Sequence, residues 1–201
     1  MVNETIRQEL LSLRAEDHRV REQLLSANEL GGPYHPKMEA VHVRNAQRLR
    51  ELIEQYGWPA RDIAGEDGAE AAWLVAQHAI GEPEFMRTAL QLVCGCIAER
   101  RVPAWHAAYL EDRIAMYEDR PQRFGSQWID DPRDGLPRPW RLANPERVNE
   151  FRGAVGLKPL ATIPAPGPEL PASVQKDQQT VEKWWRDWLD CRGWRHPPTT
   201  G

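Results

Sequence analysis

The stretch MEAVHVRNAQRLRELIEQYGWP, residues 38–59, decides the fold class. Met38, Val41, Leu49, Leu52, Ile53 and Tyr56 recur at intervals of three and four, the period of a helix with one buried face. Gly57, Trp58 and Pro59 end it, so a helix over about 37–56 follows. The same face carries His42 and Asn45, two polar side chains where core residues are expected.

Upstream, Leu10, Leu13, Val20 and Leu24 form one stripe of a long helix over about 4–28, and Asp17 interrupts that stripe. GGPYHP, residues 31–36, stops it. Downstream, AEAAWLVAQHAI, residues 69–80, is apolar nearly all round, as a central helix packed on several sides would be, yet it contains Gln77 and His78. Pro83 suits the first turn of a fourth helix, about 83–100, with Phe85 or Met86, Ala89, Leu90, Val93 and Ile97 buried. Pro103 opens a fifth, about 103–117, on which Trp105, Ala108, Asp112 and Ala115 share a face with Arg113 beside it. Residues 119–143 are dense in Pro, Gly, Asp and Trp and read as a long loop. Asn144, Pro145 and Glu146 start a short helix that stops near Gly156.

IPAPGPELPA, residues 163–172, reads as a linker, and Val174, Val181, Trp184, Trp185, Trp188 and Leu189 lie on one side of a last helix ending near Cys191. Strand-like alternation is nowhere sustained. The expectation is an all-α protein: a compact bundle of about five to seven helices with a long Pro/Gly-rich loop and a linker-tethered C-terminal helix. Its divisions would be a helical domain over 1–160, a linker over 161–172 and a Trp-rich helix and tail over 173–201.

Composition narrows the function class. With 201 residues and a formal charge of −4, the chain can bury one substantial core and has no excess of Lys and Arg to neutralise phosphates, so nucleic acid is not an expected partner. No apolar run is long enough to span a bilayer. The start, MVNETIRQELLSLR, lacks the basic and apolar regions of a secretory signal, which makes the cytoplasm the expected compartment. Cys94, Cys96 and Cys191 are odd in number and read as small buried hydrophobes rather than a disulfide or chelating set.

Four helices thus each turn polar groups toward the core. A buried polar group without a partner costs on the order of 1 to 3 kcal/mol, so Asp17, His42, Asn45, Gln77, His78, Asp112 and Arg113 are expected to meet one another. Two outcomes are compatible with this: a hydrogen-bond network that fixes helix register, or a site with general acid, general base and anion-binding groups. Nucleophile elbows and phosphate-cradling glycine motifs are absent, and Ser126 in RFGSQ reads as a turn residue.

At these residues the sequence resembles a bacterial family of domains of unknown function. The resemblance rests on VHVRNAQRLRELIEQYGWPARDIAG (41–65), AAWLVAQHA (71–79), AYLEDRIAMYEDRPQRFGSQ (108–127) and RGAVGLKPL (152–160), and covers about 17–160. The family's motifs run roughly H-x-x-N-x-x-R-L…G-W-P, Q-H-A-D, A-Y-L-x-D-R, Q-x-x-G-T-Q and V-G-L-x-P. It implies a largely helical domain whose matching positions are His42, Asn45, Arg48, Trp58, Gln77, His78, Tyr109, Asp112, Arg113, Gln122, Gly125 and Gln127. The chain departs from the pattern at Ile80, where the family has an acid, and at Ser126, where it has threonine.

The expected function is a small-molecule enzyme performing acid–base chemistry on an anionic metabolite, in a bacterial biosynthetic setting. His78, His42, Asp112 and Asp17 are the catalytic candidates, and Asn45, Gln77, Arg113, Tyr109, Gln122, Gln127 and Trp58 the substrate-binding ones. No cofactor is required by this reading. A divalent metal is the alternative, with His42, His78 and Asp112 as ligand candidates and Asp17 able to join them. The competing class is a ligand-binding or interaction module, a homodimer or partner complex docking through the tryptophans of the C-terminal helix.

Overall fold

Asn3 opens the first helix: its side chain accepts the amide of Ile6, and α1 runs Glu4–Ser26 with Ile6, Leu10, Asp17, Val20 and Leu24 buried. The computed structural model describes residues 2–30, 34–165 and 167–195. These form an all-α protein whose strands are limited to one two-stranded hairpin among the described residues. The chain divides into two compact units, 1–110 and 111–201, with the division inside a helix rather than at the proline-rich stretch.

In the first unit, α2 spans Pro36–Tyr56, capped by the His35 side chain and ended by Gly57 at φ 74°, a left-handed conformation that glycine adopts without strain. Its buried face is Met38, Val41, His42, Asn45, Ala46, Leu49 and Leu52, as the period requires; Tyr56, expected on that face, is exposed as the last residue of the helix.

α3, Arg61–His78, begins eight residues before the expected start at 69. Its first turn lies beyond a kink at Gly65, φ 70°, where no apolar period marks a helix. Contacts with distant residues hold it: the Asn3 amide donates to the Ile63 carbonyl at 2.7 Å, and Arg101 pairs with Asp62 at 2.8 Å. The rest of α3 is as central as its composition indicates, since Ala69, Ala71, Ala72, Val75 and Ala76 are buried and it borders α1, α2 and α4. Its alanines let those neighbours approach closely.

α4, Pro83–Ala98, buries Phe85, Met86, Ala89, Val93 and Cys96, so its stripe ends on Cys96 instead of Ile97. Only that cysteine behaves as a small hydrophobe; Cys94 and Cys191 are exposed. α5 runs Trp105–Tyr117, and Pro103 precedes it in a turn that accepts the His106 amide.

The second unit is organised by side chains more than by a large core. β1, Trp128–Asp130, and β2, Pro137–Pro139, pair antiparallel with Trp128 opposite Pro139. Asp131 and Asp134 hold the turn between them: Asp131 binds the Arg133 amide and guanidinium, and Asp134 binds the Leu136 amide and the Arg138 guanidinium at 2.6 and 2.7 Å. The described part of the proline-rich stretch is docked here rather than free. The Gly167 amide donates to Asp134 at 2.8 Å and the Leu170 amide to the Arg133 carbonyl at 2.7 Å, main-chain bonds that composition does not disclose.

A 3-10 turn, Pro145–Arg147, leads into α6, Val148–Ala154, and the unit ends with α7, Ala172–Cys191. Trp194 is 1% exposed beside the Tyr117 ring, 5.1 Å between centroids, so this end of the Trp-rich segment packs within its own unit. Among the described residues no helix is long and apolar enough to cross a membrane.

Candidate functional site

The polar residues on the faces of α1, α2 and α3 converge. Asp17, in the middle of α1, is 1% exposed. One of its oxygens, Oδ2, accepts from His78 Nδ1 at 2.7 Å. The same oxygen lies 3.1 Å from His42 Nε2, an ion-pair distance without hydrogen-bond alignment. The two imidazoles stand 5.0 Å apart between centroids. Each residue reaches this point because helical phase puts it on an inward face: His42 one turn after Met38 on α2, and His78 as the last residue of α3.

Tyr34 completes the arrangement. Its hydroxyl is 2.5 Å from His42 Nδ1 and its ring stacks on the imidazole at 26° between planes, so His42 is held from the side opposite Asp17. Asn45, one turn beyond His42, donates to the Leu13 carbonyl at 3.0 Å and locks α2 onto α1. The sequence pattern does not reveal Tyr34, because GGPYHP marks a helix stop by composition and says nothing of where its tyrosine points.

Burial alone would push the Asp17 carboxyl up, but the His42 and His78 imidazoles beside it outweigh that and hold the group well below the usual carboxylate range. Asp17 is therefore an anion at neutral pH. Its second oxygen, Oδ1, is buried without a hydrogen-bond partner. His78 keeps 24% of its side chain exposed and gives the cluster an open side, whereas His42 keeps 10%. Two nitrogens and one carboxylate, all within 4.8 Å of one another, form a group able to hold a cation.

Other sequence candidates of the first unit lie elsewhere. Gln77 is 2% exposed, one residue before His78, and Trp58 is 2% exposed in the core. Tyr109 packs edge-on against Trp73 and Trp105, 5.7 and 6.0 Å between centroids. Arg48 pairs with Glu9 on α1 and with Glu51 at 2.6 Å. This region also contains His106, a buried histidine that helical phase did not single out. Its ring stacks on Trp73 at 5.1 Å, and burial pushes its pKa down to about 4, so it stays neutral.

In the second unit Asp112 is fully buried, and its two oxygens accept the amides of Arg123 at 2.8 Å, Phe124 at 3.0 Å and Ser126 at 2.9 Å. A buried carboxylate thus folds residues 122–127 around itself. Gln122, also fully buried, donates to the carbonyls of Gln127 and Trp140 and accepts the Gln127 amide. Arg113 donates to the Gln127 side chain at 3.0 Å. Gln122, Gln127 and Arg113 are joined to one another and Asp112 to the loop backbone; of these candidates the carboxylate with imidazole partners is Asp17.

Comparison with known proteins agrees with the resemblance to a family of unknown function. No curated protein and no solved structure matches the chain. A family model described as a family of unknown function, DUF6624, matches residues 4–163, which include every residue of the Asp17 cluster and of the Asp112 loop. The chain belongs to the family of unknown function DUF6624.

Proposed function

We propose that residues 1–110 carry the reacting centre of a small-molecule enzyme, with Asp17, His42 and His78 acting together in acid–base chemistry. The observation that supports this is the convergence of two imidazoles from separate helices on one buried carboxylate oxygen, at 2.7 and 3.1 Å. A network serving only to fix helix register has no need of a partly exposed imidazole, yet His78 faces outward with a quarter of its side chain accessible. General acid–base groups contribute typically 10²- to 10⁴-fold to rate. The substrate class that suits the centre is a small anionic molecule with an ester or acid group, whose charge the imidazoles can balance.

The test is hydrolysis of a panel of nitrophenyl carboxylic and phosphoric esters by the full chain and by its His78→Ala and His42→Ala variants, each confirmed as folded by circular dichroism. Loss of at least 100-fold in turnover in both variants is expected. Unchanged turnover in either would overturn the proposal.

A second reading, docking of a protein partner or a second copy, draws on α7. Trp185 borders a groove of about 660 Å³ that Trp140 and Tyr117 also line. A sedimentation experiment in which the full chain stays monomeric, and Trp185→Ala changes nothing, would remove it.

A further inference from the structure

The buried carboxylate of Asp17 carries one negative charge and faces two imidazoles, and its second oxygen has no hydrogen-bond partner. Protonated imidazoles or a bound cation would balance that charge, and the contacts of His42 bear on which of the two it is. Where Nδ1 gives its proton to the Tyr34 hydroxyl, Nε2 presents a bare lone pair to a carboxylate oxygen 3.1 Å away, a repulsive contact unless a cation lies between them.

We infer that Asp17, His42 and His78 are the protein ligands of a divalent first-row transition-metal ion of the zinc, cobalt or iron(II) kind. This deepens the acid–base reading and rests on it only for the use made of the ion. Two imidazole nitrogens and one carboxylate are a donor set for such ions, whereas magnesium and calcium prefer oxygen alone. Ligand bonds of about 2.0 to 2.2 Å at angles between octahedral and tetrahedral put neighbouring ligand atoms about 2.8 to 3.6 Å apart. The Asp17 oxygen already stands 2.7 and 3.1 Å from its two nitrogens, so an ion enters with shifts of a few tenths of an ångström along those edges.

The surroundings fit the same use. A histidine ligand is commonly fixed through its other ring nitrogen, and Tyr34 occupies that place on His42. Asn45, by tying α2 to Leu13 on α1, keeps the Asp17 and His42 helices in register. His78, at the end of α3 and open to solvent, leaves coordination positions for water or a substrate oxygen, and a water on the ion then becomes the proton-exchanging group.

The test uses the full chain, stripped with a chelator and titrated with Co²⁺ and Zn²⁺ by calorimetry, with visible d–d absorption reporting cobalt coordination. One ion per chain is expected, bound at micromolar or lower concentration, with a rise in melting temperature and no such binding of Mg²⁺. His78→Gln, at a helix end where folding is readily kept, should weaken binding at least 100-fold. Tyr34→Phe, which keeps all three ligands, should weaken it about 10-fold. Failure of the stripped wild-type chain to bind either ion overturns the inference, as does equal binding by His78→Gln. Binding without ester turnover upholds the metal site and removes the enzyme reading, while turnover that needs His78 in a chain that binds no ion does the reverse.

Discussion

Replacing Asp112 with alanine removes the acceptor around which residues 122–127 fold. The carboxylate takes three backbone amides, from Arg123, Phe124 and Ser126, at 2.8 to 3.0 Å, and is itself fully buried. Hydrogen bonds to a charged group are worth about 1.5 to 3 kcal/mol each, and a stranded buried donor costs about 1 to 3 kcal/mol. Phe124 is 5% exposed, so its amide would be stranded, while the amides of Arg123 and Ser126 are part-buried and can recover water. A loss of about 3 to 5 kcal/mol follows. With a urea dependence of about 2 kcal/mol per molar, the unfolding midpoint of the second unit should fall by about 2 M. Urea titration followed by tryptophan fluorescence reads this, since Trp128 and Trp140 flank the loop. Asp112→Asn should lose less, because its amide oxygen can still accept the Arg123 and Phe124 amides and only the Ser126 amide would face an NH₂ that cannot accept it. A fall below 0.5 M for Asp112→Ala would refute the assignment of Asp112 to loop folding.

Three further expectations follow from particular contacts. His106 is neutral in the fold with a pKa near 4, while the unfolded chain takes up its proton near 6.5; stability is complete above that value and drops by about 3 kcal/mol as pH falls to 4. Comparing acid unfolding of the wild type with His106→Phe, which lacks the titration, checks this, and equal slopes would contradict it. Gly125→Ala should destabilise by about 1 to 3 kcal/mol in a thermal melt, because φ is +64° and the new Cβ would stand 3.0 Å from Leu160 Cδ1 and 3.2 Å from Leu142 Cδ2. A thiol reagent should label Cys94 and Cys191 in the native chain and Cys96 only after denaturation, since burial removes Cys96 from solvent and pushes its thiol up.

Helical phase carried most of this architecture. The inward positions of Asp17, His42, Asn45 and Asp112 follow from spacing alone, because a 3.6-residue period fixes which side chains share a face and the core faces are strongly apolar. Spacing does not say which inward groups meet. Seven polar residues read as a single cluster are arranged as a histidine–carboxylate group on α1, α2 and α3 and a loop-folding carboxylate at Asp112, a distinction set by tertiary packing. The first turn of α3 and the docking of 167–170 escaped the pattern for a related reason. Both depend on contacts with distant residues, Asn3 and Arg101 for the one, Arg133 and Asp134 for the other. Tyr34 was hidden in a stretch of sequence whose Gly and Pro content speaks only of where a helix stops.

Whether Asp17 and His78 work as one unit is read by a double-mutant cycle on ester turnover with Asp17→Asn, His78→Ala and the pair. Joined at 2.7 Å in one reacting centre, they should be strongly non-additive: each single variant falls at least 100-fold, and the double variant is about as slow as either. Losses that multiply, the double variant falling by the product of the two, would contradict a shared centre.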